Sequence, residues 1–372
     1  MYIDKELESL NYEKVKQNIG GIFFVSIAMV IGITGNLHVL CVYSFRMKQS
    51  NPRIFILFLA ALDFITCAVG MPFIIIDLTN PLTFYAVTAC KVLRFVNYFI
   101  CLSSAFILLI IAIDRYRKVC LPLRQQISQK KAVYCCFGSF GVCLVFTWPA
   151  PVLYGYSTVN TTNPNVTGIR CFTEDIYKDT DYQAYFNVIL ILVMFGMFVV
   201  LVVLYALIAK TILENDKNRN SFQTNKLMTK GTNVGNKNPV QEERMLKQLD
   251  TPIKTAELIT GSNRSTDDKR IDFNRRSVMQ YKRVKTTTFI MFLITALFFI
   301  SYFPHLILQI ITYIDKDFVQ RMNIEQKIIY NTFLWCFFLN SFANCFIYGF
   351  CDVGFRRQLK RFYNNFICWI WY

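Results

Sequence analysis

One stretch joins a long apolar run to a group of charges, and it reads Leu108-Leu109-Ile110-Ile111-Ala112-Ile113-Asp114-Arg115-Tyr116-Arg117-Lys118-Val119-Cys120. About twenty apolar residues are needed for a helix to cross a lipid bilayer. Because basic residues collect on the cytosolic side of a membrane, the charges at 114–118 predict that this helix leaves the membrane into the cytosol. Taken alone, the stretch is also compatible with a helix end that carries solvated charges.

The composition places the chain in a lipid bilayer. Hydrophobic residues make up 54% of the 372 residues, charged residues only 17%, and phenylalanine alone occupies 35 positions. A soluble chain of this length could not bury so much apolar surface. The net charge of +16 does not indicate nucleic acid as a partner, because the bases form short clusters beside apolar segments, as in membrane proteins.

Seven apolar segments have the length of a membrane span, and they cover residues 19–44, 54–77, 88–113, 132–154, 183–212, 286–313 and 328–350. The sequence therefore predicts an all-α membrane protein with a seven-transmembrane helix bundle over 19–350. An extracellular amino terminus (1–18) precedes this bundle, and an amphipathic helix with a cytosolic tail (351–372) follows it. The first segment lacks the features of a cleavable signal peptide, so we expect span one to act as an uncleaved signal.

Charges in the connections between spans predict the orientation. The first, third and fifth connections are basic, whereas the even connections carry acids such as Asp77, Glu174 and Asp175. Because basic loops stay in the cytosol, the amino terminus is expected outside the cell, with the protein in the plasma membrane. Two glycosylation acceptor motifs, at Asn160 and Asn165, both fall in the fourth connection, on the predicted outer side.

Two of the 13 cysteines are predicted to face an oxidising compartment. Cys90 lies at the outer start of the third span and Cys171 in the fourth connection. We expect a disulfide between them that ties the outer loop across the bundle. Two free thiols are the alternative.

The fifth connection, roughly 214–280, is the one long polar segment. It is rich in Asn, Lys, Thr and Ser and poor in aromatic residues. Such a segment cannot bury enough apolar surface to offset the entropy lost on ordering. The composition therefore predicts a disordered cytosolic loop.

Asp63 lies midway along the second span, where an ionised carboxylate costs roughly 2.5–3.5 kcal/mol to insert. It must face the bundle interior and find polar partners. Candidates at a similar depth are Asn36, Ser104, Asn340, Ser341 and Asn344. A carboxylate among neutral oxygens suits an allosteric sodium ion, and no other metal or cofactor is expected. The alternative is a protonated Asp63 bonded to the same groups.

Motifs in all seven spans, in order over about 19–365, are typical of one family. They are Gly35-Asn36, Leu59-Ala60-Ala61-Leu62-Asp63, Cys90, Asp114-Arg115-Tyr116, Trp148, Tyr205, Phe298, Pro304, Asn340, Asn344, Tyr348 and Phe355-Arg356-Arg357. In these residues the chain resembles the rhodopsin-like (class A) G-protein-coupled receptors. Around Arg94-Phe95-Val96-Asn97-Tyr98 it is loosely similar to peptide receptors of the orexin and cholecystokinin kind. The resemblance implies a receptor and not an enzyme.

The resemblance implies a two-state switch formed by Asp114, Arg115, Tyr116, Tyr205 and Tyr348. In the inactive state Asp114 would neutralise Arg115. In the active state the arginine would turn toward Tyr205 and a heterotrimeric G protein as span six moves outward. Receptor kinases and arrestin are further partners that the resemblance implies.

Four positions depart from the family pattern. Tyr302 stands where tryptophan is usual, Cys345 and Met197 where spans seven and five usually have proline, and Val284 where span six often has an acid. Because proline bends a helix, we expect a straighter segment around Cys345. Without an acid at 284 to link spans three and six, we expect measurable signalling in the absence of ligand.

Two classes of ligand can be excluded. Amine receptors of the family carry an aspartate where this chain has Asn97, and retinal-binding members carry a lysine that span seven lacks here. Acids at the amino terminus and in the fourth connection favour a basic or amidated peptide, so a neuropeptide is the first hypothesis. A non-peptide small molecule or a lipid is the alternative. The predicted pocket comprises Asn97, Tyr98, Cys101, Tyr302, His305, Gln309 and Trp335, although His305 fits equally well as a neutral group packed between helices.

After Tyr348, apolar and basic residues alternate at helical spacing through Phe362. This pattern predicts an amphipathic helix on the inner leaflet, with its bases toward anionic membrane lipids. Cys368 is a candidate for palmitoylation, which would add an anchor. The aromatic tail Trp369-Ile370-Trp371-Tyr372 could insert without it.

Two other classes of membrane protein fit less well. A transporter would show internal repeats and charges in several spans, whereas Asp63 is the one clear carboxylate at mid-membrane depth. A membrane enzyme would need a nucleophile with a base, or a set of metal ligands. Two isolated histidines supply neither.

Overall fold

The computed structural model describes the backbone of residues 2–161, 163–232, 264–315 and 317–370, and within these ranges the side chains of 5–219, 221 and 278–364. The chain divides into two compact units. The first is Met1–Tyr205 with Thr286–Tyr372, and the second is Ala206–Lys285. The candidate site lies in the first unit.

Seven helical segments are long and apolar enough to cross a membrane, and we number them as spans one to seven: Lys5–Phe45, Asn51–Thr79, Val87–Cys120, Gln129–Leu153, Tyr182–Arg219, Val278–Ile314 and Ile324–Cys351. Each corresponds to one predicted segment. The predicted fold class, an all-α membrane protein with a seven-transmembrane bundle, is confirmed.

The helices are α1 (Tyr2–Phe45), α2 (Asn51–Ile65), α3 (Met71–Thr79), α4 (Val87–Cys120), α5 (Gln129–Thr147), α6 (Ala150–Leu153), α7 (Tyr182–Thr232), α8 (Arg264–Ile314), α9 (Ile324–Leu334), α10 (Leu339–Cys351) and α11 (Val353–Ile370). Span two contains a π-helical turn, Thr66–Gly70, between α2 and α3. Span seven contains a 3-10 turn, Cys336–Phe338, between α9 and α10.

Capping residues fix the start of three spans. The hydroxyls of Ser50 and Ser128 accept the backbone N–H three residues later, at 3.5 and 3.3 Å, and so cap α2 and α5. Asn323 and Gln326 form a reciprocal capping box at the start of α9. Such side chains satisfy donors that the first turn of a helix leaves without a partner.

Span one packs against spans two and seven, and two of its glycines allow close approach. A Cβ at Gly32 would lie 2.2 Å from Cys67 Sγ, and one at Gly35 would lie 2.4 Å from Cys345 Sγ. Both distances are far below van der Waals contact. The absence of a side chain at these two positions therefore sets how near the three spans lie.

A two-stranded antiparallel hairpin, β1 (Tyr154–Asn160) and β2 (Thr167–Thr173), connects spans four and five. The disulfide Cys90–Cys171 joins β2 to the start of span three, with 5.5 Å between the Cα atoms. This is the pairing that the sequence predicts. We call this side of the bundle the disulfide end. Asn160 and Asn165, the predicted glycosylation acceptors, are exposed on the hairpin.

Helical structure extends further into the fifth connection than the composition predicts. α7 continues to Thr232 and α8 begins at Arg264, within the 214–280 segment expected to be disordered. A helix that continues from a span needs no new nucleation, so polar residues can prolong it. Residues 233–263 lie outside the described part. Within the second unit, Asp216 pairs with Lys285 at 2.5 Å.

Span seven is irregular at a different place from the one that the family pattern suggests. α10 is unbroken through Cys345, as the missing proline predicts. The irregular turn, Cys336–Phe338, lies about two helical turns earlier. The irregularity of this span therefore lies at Cys336–Phe338 and not at Cys345.

The predicted amphipathic segment is helical as α11. Phe355 is buried, with 3% of its surface exposed, while Arg356 and Arg357 are exposed. The side chain of Cys368, the predicted palmitoylation site, lies outside the described residues.

Candidate functional site

A cavity of about 340 Å³ lies among spans two, three, five, six and seven, next to β2. Its wall includes all seven residues of the predicted pocket: Asn97, Tyr98, Cys101, Tyr302, His305, Gln309 and Trp335. Further aromatic rings in the wall come from Phe172, Phe298, Phe337 and Phe338. A concave, mostly apolar site with a few polar groups is typical of ligand binding.

Wall residues are positioned by contacts with one another. The hydroxyl groups of Tyr98 and Tyr154 are 2.7 Å apart. The Tyr302 hydroxyl is hydrogen-bonded to the Cys101 thiol. The Tyr302 ring lies 4.9 Å from that of Phe298. Tyr302, which replaces the family's usual tryptophan, therefore connects spans three and six at the cavity wall.

His305 is packed between spans six and seven. Its Nδ1 donates to the carbonyl oxygen of Leu334 at 2.7 Å, and its ring lies 4.7 Å from that of Phe337. These contacts fit the interpretation of His305 as a group packed between helices. It also lines the cavity.

Asp63 is almost fully buried, with 2% of its surface exposed. Its Oδ2 accepts a hydrogen bond from Asn344 Nδ2 at 2.8 Å, and the Ser341 hydroxyl also interacts with the carboxylate. The structure therefore brings three of the six predicted polar-core residues into direct contact.

The other three polar-core residues have different surroundings. Asn36 donates to a carbonyl of its own helix at 2.9 Å and to the Ser341 carbonyl at 2.7 Å. Ser104 and Asn340 line the cavity, as does Ser341. In the described part of the chain, no hydrogen bond joins Asp63 to Asn36, Ser104 or Asn340. The cavity and the polar core are nevertheless adjacent, because Ser341 belongs to both.

Arg115 and Asp114 form a buried ion pair at the opposite end of span three from the disulfide. Their side chains are 2% and 1% exposed. Asp114 also accepts from Asn51 Nδ2 at 2.8 Å and from Lys118 Nζ at 3.0 Å. Arg115 Nε is buried and has no hydrogen-bond partner among the described residues. The Asp114 carboxylate thus accepts hydrogen bonds from three side chains, of which Arg115 is one.

The tyrosines of the predicted switch are not bonded to Arg115. The Tyr205 hydroxyl is 3.0 Å from Thr295 Oγ1. Tyr348 is 1% exposed, and its hydroxyl has no partner within the described ranges. Tyr116 is half-buried. Arg115 is thus bonded to Asp114, and the Tyr205 hydroxyl to Thr295.

Acids at the disulfide end are paired within the protein. The pairs are Asp77 with Arg94 at 2.6 Å, Glu174 with Lys91 at 2.6 Å, and Asp175 with Lys178 at 2.5 Å. Glu174 and Asp175 belong to the fourth connection, so bases of the same protein neutralise two of the acids behind the expected acidic outer surface. Asp179 and Asp181 of that connection are exposed, and the acidic outer surface stays a prediction.

Arg94 is a cavity residue that the sequence analysis did not assign to the pocket. It is the one side chain with a full charge in the described cavity wall. A signal was present, because Arg94 lies one helical turn before Asn97 and so faces the same side of span three.

Comparison with known proteins places the chain in a family. The model of the seven-transmembrane receptors of the rhodopsin family matches residues 35–348, from the last third of span one to the last turn of span seven.

Individual receptors are similar to the chain over different lengths. Trace amine-associated receptor 4 of Mus musculus is 24% identical over 334 residues, 90% of this chain and 82% of that protein. Cephalotocin receptor 2 of Octopus vulgaris is 33% identical over 134 residues, 35% of this chain and 31% of that protein. The C3a anaphylatoxin chemotactic receptor of Oncorhynchus mykiss is 37% identical over 106 residues, 28% of this chain and 29% of that protein. The matches to the last two span less than about a third of each relative.

The family match, the seven spans and the buried pair at Asp114 and Arg115 agree with one another. The relatives are receptors and not enzymes. The chain therefore belongs to the rhodopsin family of seven-transmembrane receptors.

Proposed function

We propose that the protein is a plasma-membrane receptor, with its amino terminus outside the cell, that binds an extracellular peptide and activates a heterotrimeric G protein. The observation that carries this proposal is the buried Asp114–Arg115 pair. A buried guanidinium is tolerated only while an acid compensates its charge. Release of the pair would present a cation to a cytosolic partner. Receptor kinases and arrestin would then recognise the active form.

One helix connects the cavity with the region of the switch. Span six contributes Tyr302 to the cavity wall, and its ring contacts Phe298, which is fully buried. One turn further along the helix, Thr295 bonds the hydroxyl of Tyr205. A ligand that displaces Tyr302 would thus act on the helix that holds Tyr205. Such a packed element with two arrangements is what a conformational switch requires.

The cavity wall supports a peptide over an amine. Amine binding is the second candidate, because a trace amine-associated receptor matches 90% of the chain. However, Asn97 occupies the place of the family's counter-ion, and the described wall residues include no carboxylate. Burying an ammonium without an acid is strongly unfavourable. The similarity also extends to receptors named for cephalotocin and for C3a anaphylatoxin.

The residues around Asp63 fit a sodium ion. The side-chain oxygens of Asn340 and Asn344 are buried without a hydrogen-bond partner in the described part of the chain. Hard cations prefer carboxylate, carbonyl and hydroxyl oxygens. Asp63 with Ser341 and Asn344 would hold the ion, whose charge would offset that of the buried carboxylate.

The test is activation of G proteins in cells that express the full chain, with panels of neuropeptides and of biogenic amines as candidate ligands. We expect agonism by a peptide that Arg115→Ala abolishes and that Arg117→Ala leaves intact. Arg117 is a suitable control because it donates to the carbonyl of Gln125 at 2.6 Å and not to Asp114.

Guanine nucleotide provides the second readout. Coupling is reciprocal, so a non-hydrolysable GTP analogue should lower agonist affinity in membranes. Activation by amines alone would replace the peptide proposal. An agonist whose affinity ignores guanine nucleotide would contradict coupling to a G protein.

A further inference from the structure

Arg94 is a cation in the cavity wall with an unused donor. Its Nη2 donates to Asp77 Oδ2 at 2.6 Å and to the Cys171 carbonyl at 3.1 Å. Its Nε is buried and has no hydrogen-bond partner among the residues that the structure describes. A guanidinium carries five donors in a planar arrangement that matches a carboxylate. The guanidinium of Arg94 therefore has more donors than its bonds to Asp77 and Cys171 use.

Arg170 places a second guanidinium next to the cavity wall. It belongs to β2, and its guanidinium lies 4.3 Å from the ring centre of Phe172, which lines the cavity. Burial lowers the pKa of Arg170, while the charge of Asp77 raises it and that of Arg94 lowers it. Within the described ranges, Asp77 is the one carboxylate that interacts with these two arginines. One acid thus serves two cations.

Arg94 and Arg170 carry two positive charges beside the cavity, and Asp77, which pairs with Arg94 at 2.6 Å, carries one negative charge. Like charges that the protein's own acids do not balance create a positive potential that attracts anions. The region therefore favours an acidic ligand over a basic one.

We propose that Arg94 binds a carboxylate group of the ligand and that Arg170 adds positive charge beside the cavity. The rest of the cavity wall is aromatic, so the ligand carries an aromatic or aliphatic group next to its carboxylate. A peptide with a free carboxyl terminus has this chemistry, and so does a fatty acid. This proposal rests on the cavity being the ligand site, and it replaces the basic or amidated peptide expected from the sequence.

The first experiment needs no natural ligand. Thermal unfolding of the purified full-length receptor is measured with 3-phenylpropionate and with 3-phenylpropionamide, which have similar size and differ in the carboxylate. A ligand that binds the folded state raises the Tm. We expect millimolar 3-phenylpropionate to raise the Tm and the amide to leave it unchanged.

Variants assign this shift to the two arginines. Arg94→Gln and Arg170→Gln should each remove at least half of the Tm shift, and Arg94→Lys should retain part of it. Arg321→Gln is the control, because Arg321 lies in the connection between spans six and seven and pairs with Asp315. If Arg94→Gln does not fold, Arg170→Gln carries the test. Equal shifts with the acid and the amide, no shift with the acid, or a shift that survives both glutamine variants would overturn the proposal.

The second experiment identifies the source of the carboxylate. Candidate peptides are made with a free carboxyl terminus and with a carboxamide, and medium-chain fatty acids are compared with their primary amides. Acids should activate at concentrations about tenfold lower than amides, the scale of one charge-assisted hydrogen bond. Arg94→Gln should remove that preference. A preference for amides would contradict the carboxylate site.

The outcomes separate this proposal from the peptide function. Activation by fatty acids but by neither peptide form would support the carboxylate site and contradict the peptide ligand. Peptide agonism of equal potency in acid and amide forms would support the peptide ligand and contradict the carboxylate site.

Discussion

The side-chain amide nitrogen of Asn51 lies 2.8 Å from Oδ1 of Asp114, so the acid that restrains Arg115 is itself held from span two. Lys118, one turn along span three, donates to Oδ2. Arg115 donates to that same Oδ2. The lysine therefore competes with the arginine for one oxygen, while Asn51 orients the carboxylate from the other side.

Replacing Asp114 by asparagine should raise basal signalling. The variant keeps the shape of the side chain but removes the charge that holds Arg115, and a hydrogen bond to a charged group is worth about 1.5–3 kcal/mol. We expect a several-fold rise in constitutive second messenger at matched surface expression. Val284→Glu, which adds the acid that span six lacks, should have the smaller effect. The opposite ranking would show that Asp114 is not the main restraint.

Asn51→Leu and Lys118→Met should change basal signalling in opposite directions. Loss of Asn51 frees the carboxylate to move and weakens the restraint, whereas loss of Lys118 leaves Oδ2 to Arg115 and strengthens it. Each change removes one hydrogen bond to Asp114, and Asn51→Leu also removes one to the Ile127 carbonyl at 2.8 Å. A shift of about two- to tenfold is expected from the lost bond to Asp114. Constitutive signalling is again the measurement, with Lys131→Met, an exposed base at the start of span four, as the control. A rise in both variants would indicate a general loss of packing instead.

Asp63→Asn should abolish any dependence of agonist binding on sodium. The substitution removes the only charge of the proposed ion site, and Asn344→Ala should weaken the dependence because it removes a neighbouring amide oxygen. Agonist affinity is measured with sodium chloride replaced by choline chloride at constant ionic strength. Thr147→Val is the control, since that hydroxyl lies away from the cavity and donates to the Cys143 carbonyl of its own helix at 2.8 Å. Unchanged sodium dependence in Asp63→Asn would exclude this carboxylate as the ligand.

Gly35→Ala should destabilise the receptor, and Cys345→Ala should restore it. The added Cβ would lie 2.4 Å from Cys345 Sγ, and overpacking of this kind costs about 1–3 kcal/mol. The Tm of the purified receptor should fall in the single variant and recover in the double variant. Gly141→Ala is the control, because a Cβ there meets nothing within 4 Å. A double variant as unstable as the single one would show that the sulfur is not the obstacle.

The spans and the cavity wall could be predicted because both depend on the order of residues along the chain. Apolar length locates a span, and helical spacing places Asn97, Tyr98 and Cys101 on one part of span three. The disulfide follows from topology, since Cys90 and Cys171 are the two cysteines expected on one side of the membrane.

The charge of the binding region could not be predicted in the same way. Pairing of Glu174 with Lys91 joins residues 83 positions apart, and nothing local to either residue signals it. Counting acids by connection therefore misses that Glu174 and Asp175 are paired with bases of the same protein. The course of span seven shows a similar limit: the missing proline predicted a regular helix at Cys345, but not the turn at Cys336–Phe338.

That turn contributes Phe337 and Phe338 to the wall of the cavity, next to Trp335. The Cys336 thiol donates to the Ser301 carbonyl of span six at 3.1 Å, and His305 of span six bonds the Leu334 carbonyl just before the turn. At 1.5 Å per residue, the turn is about 12 Å from the position where the family's proline would bend the helix. A ligand in the cavity would contact the irregular turn of span seven directly, without an intervening stretch of helix. The shape of the ligand would then determine the angle of span seven at this turn. Two ligands that differ only beside Trp335 should therefore leave span seven with two different bends.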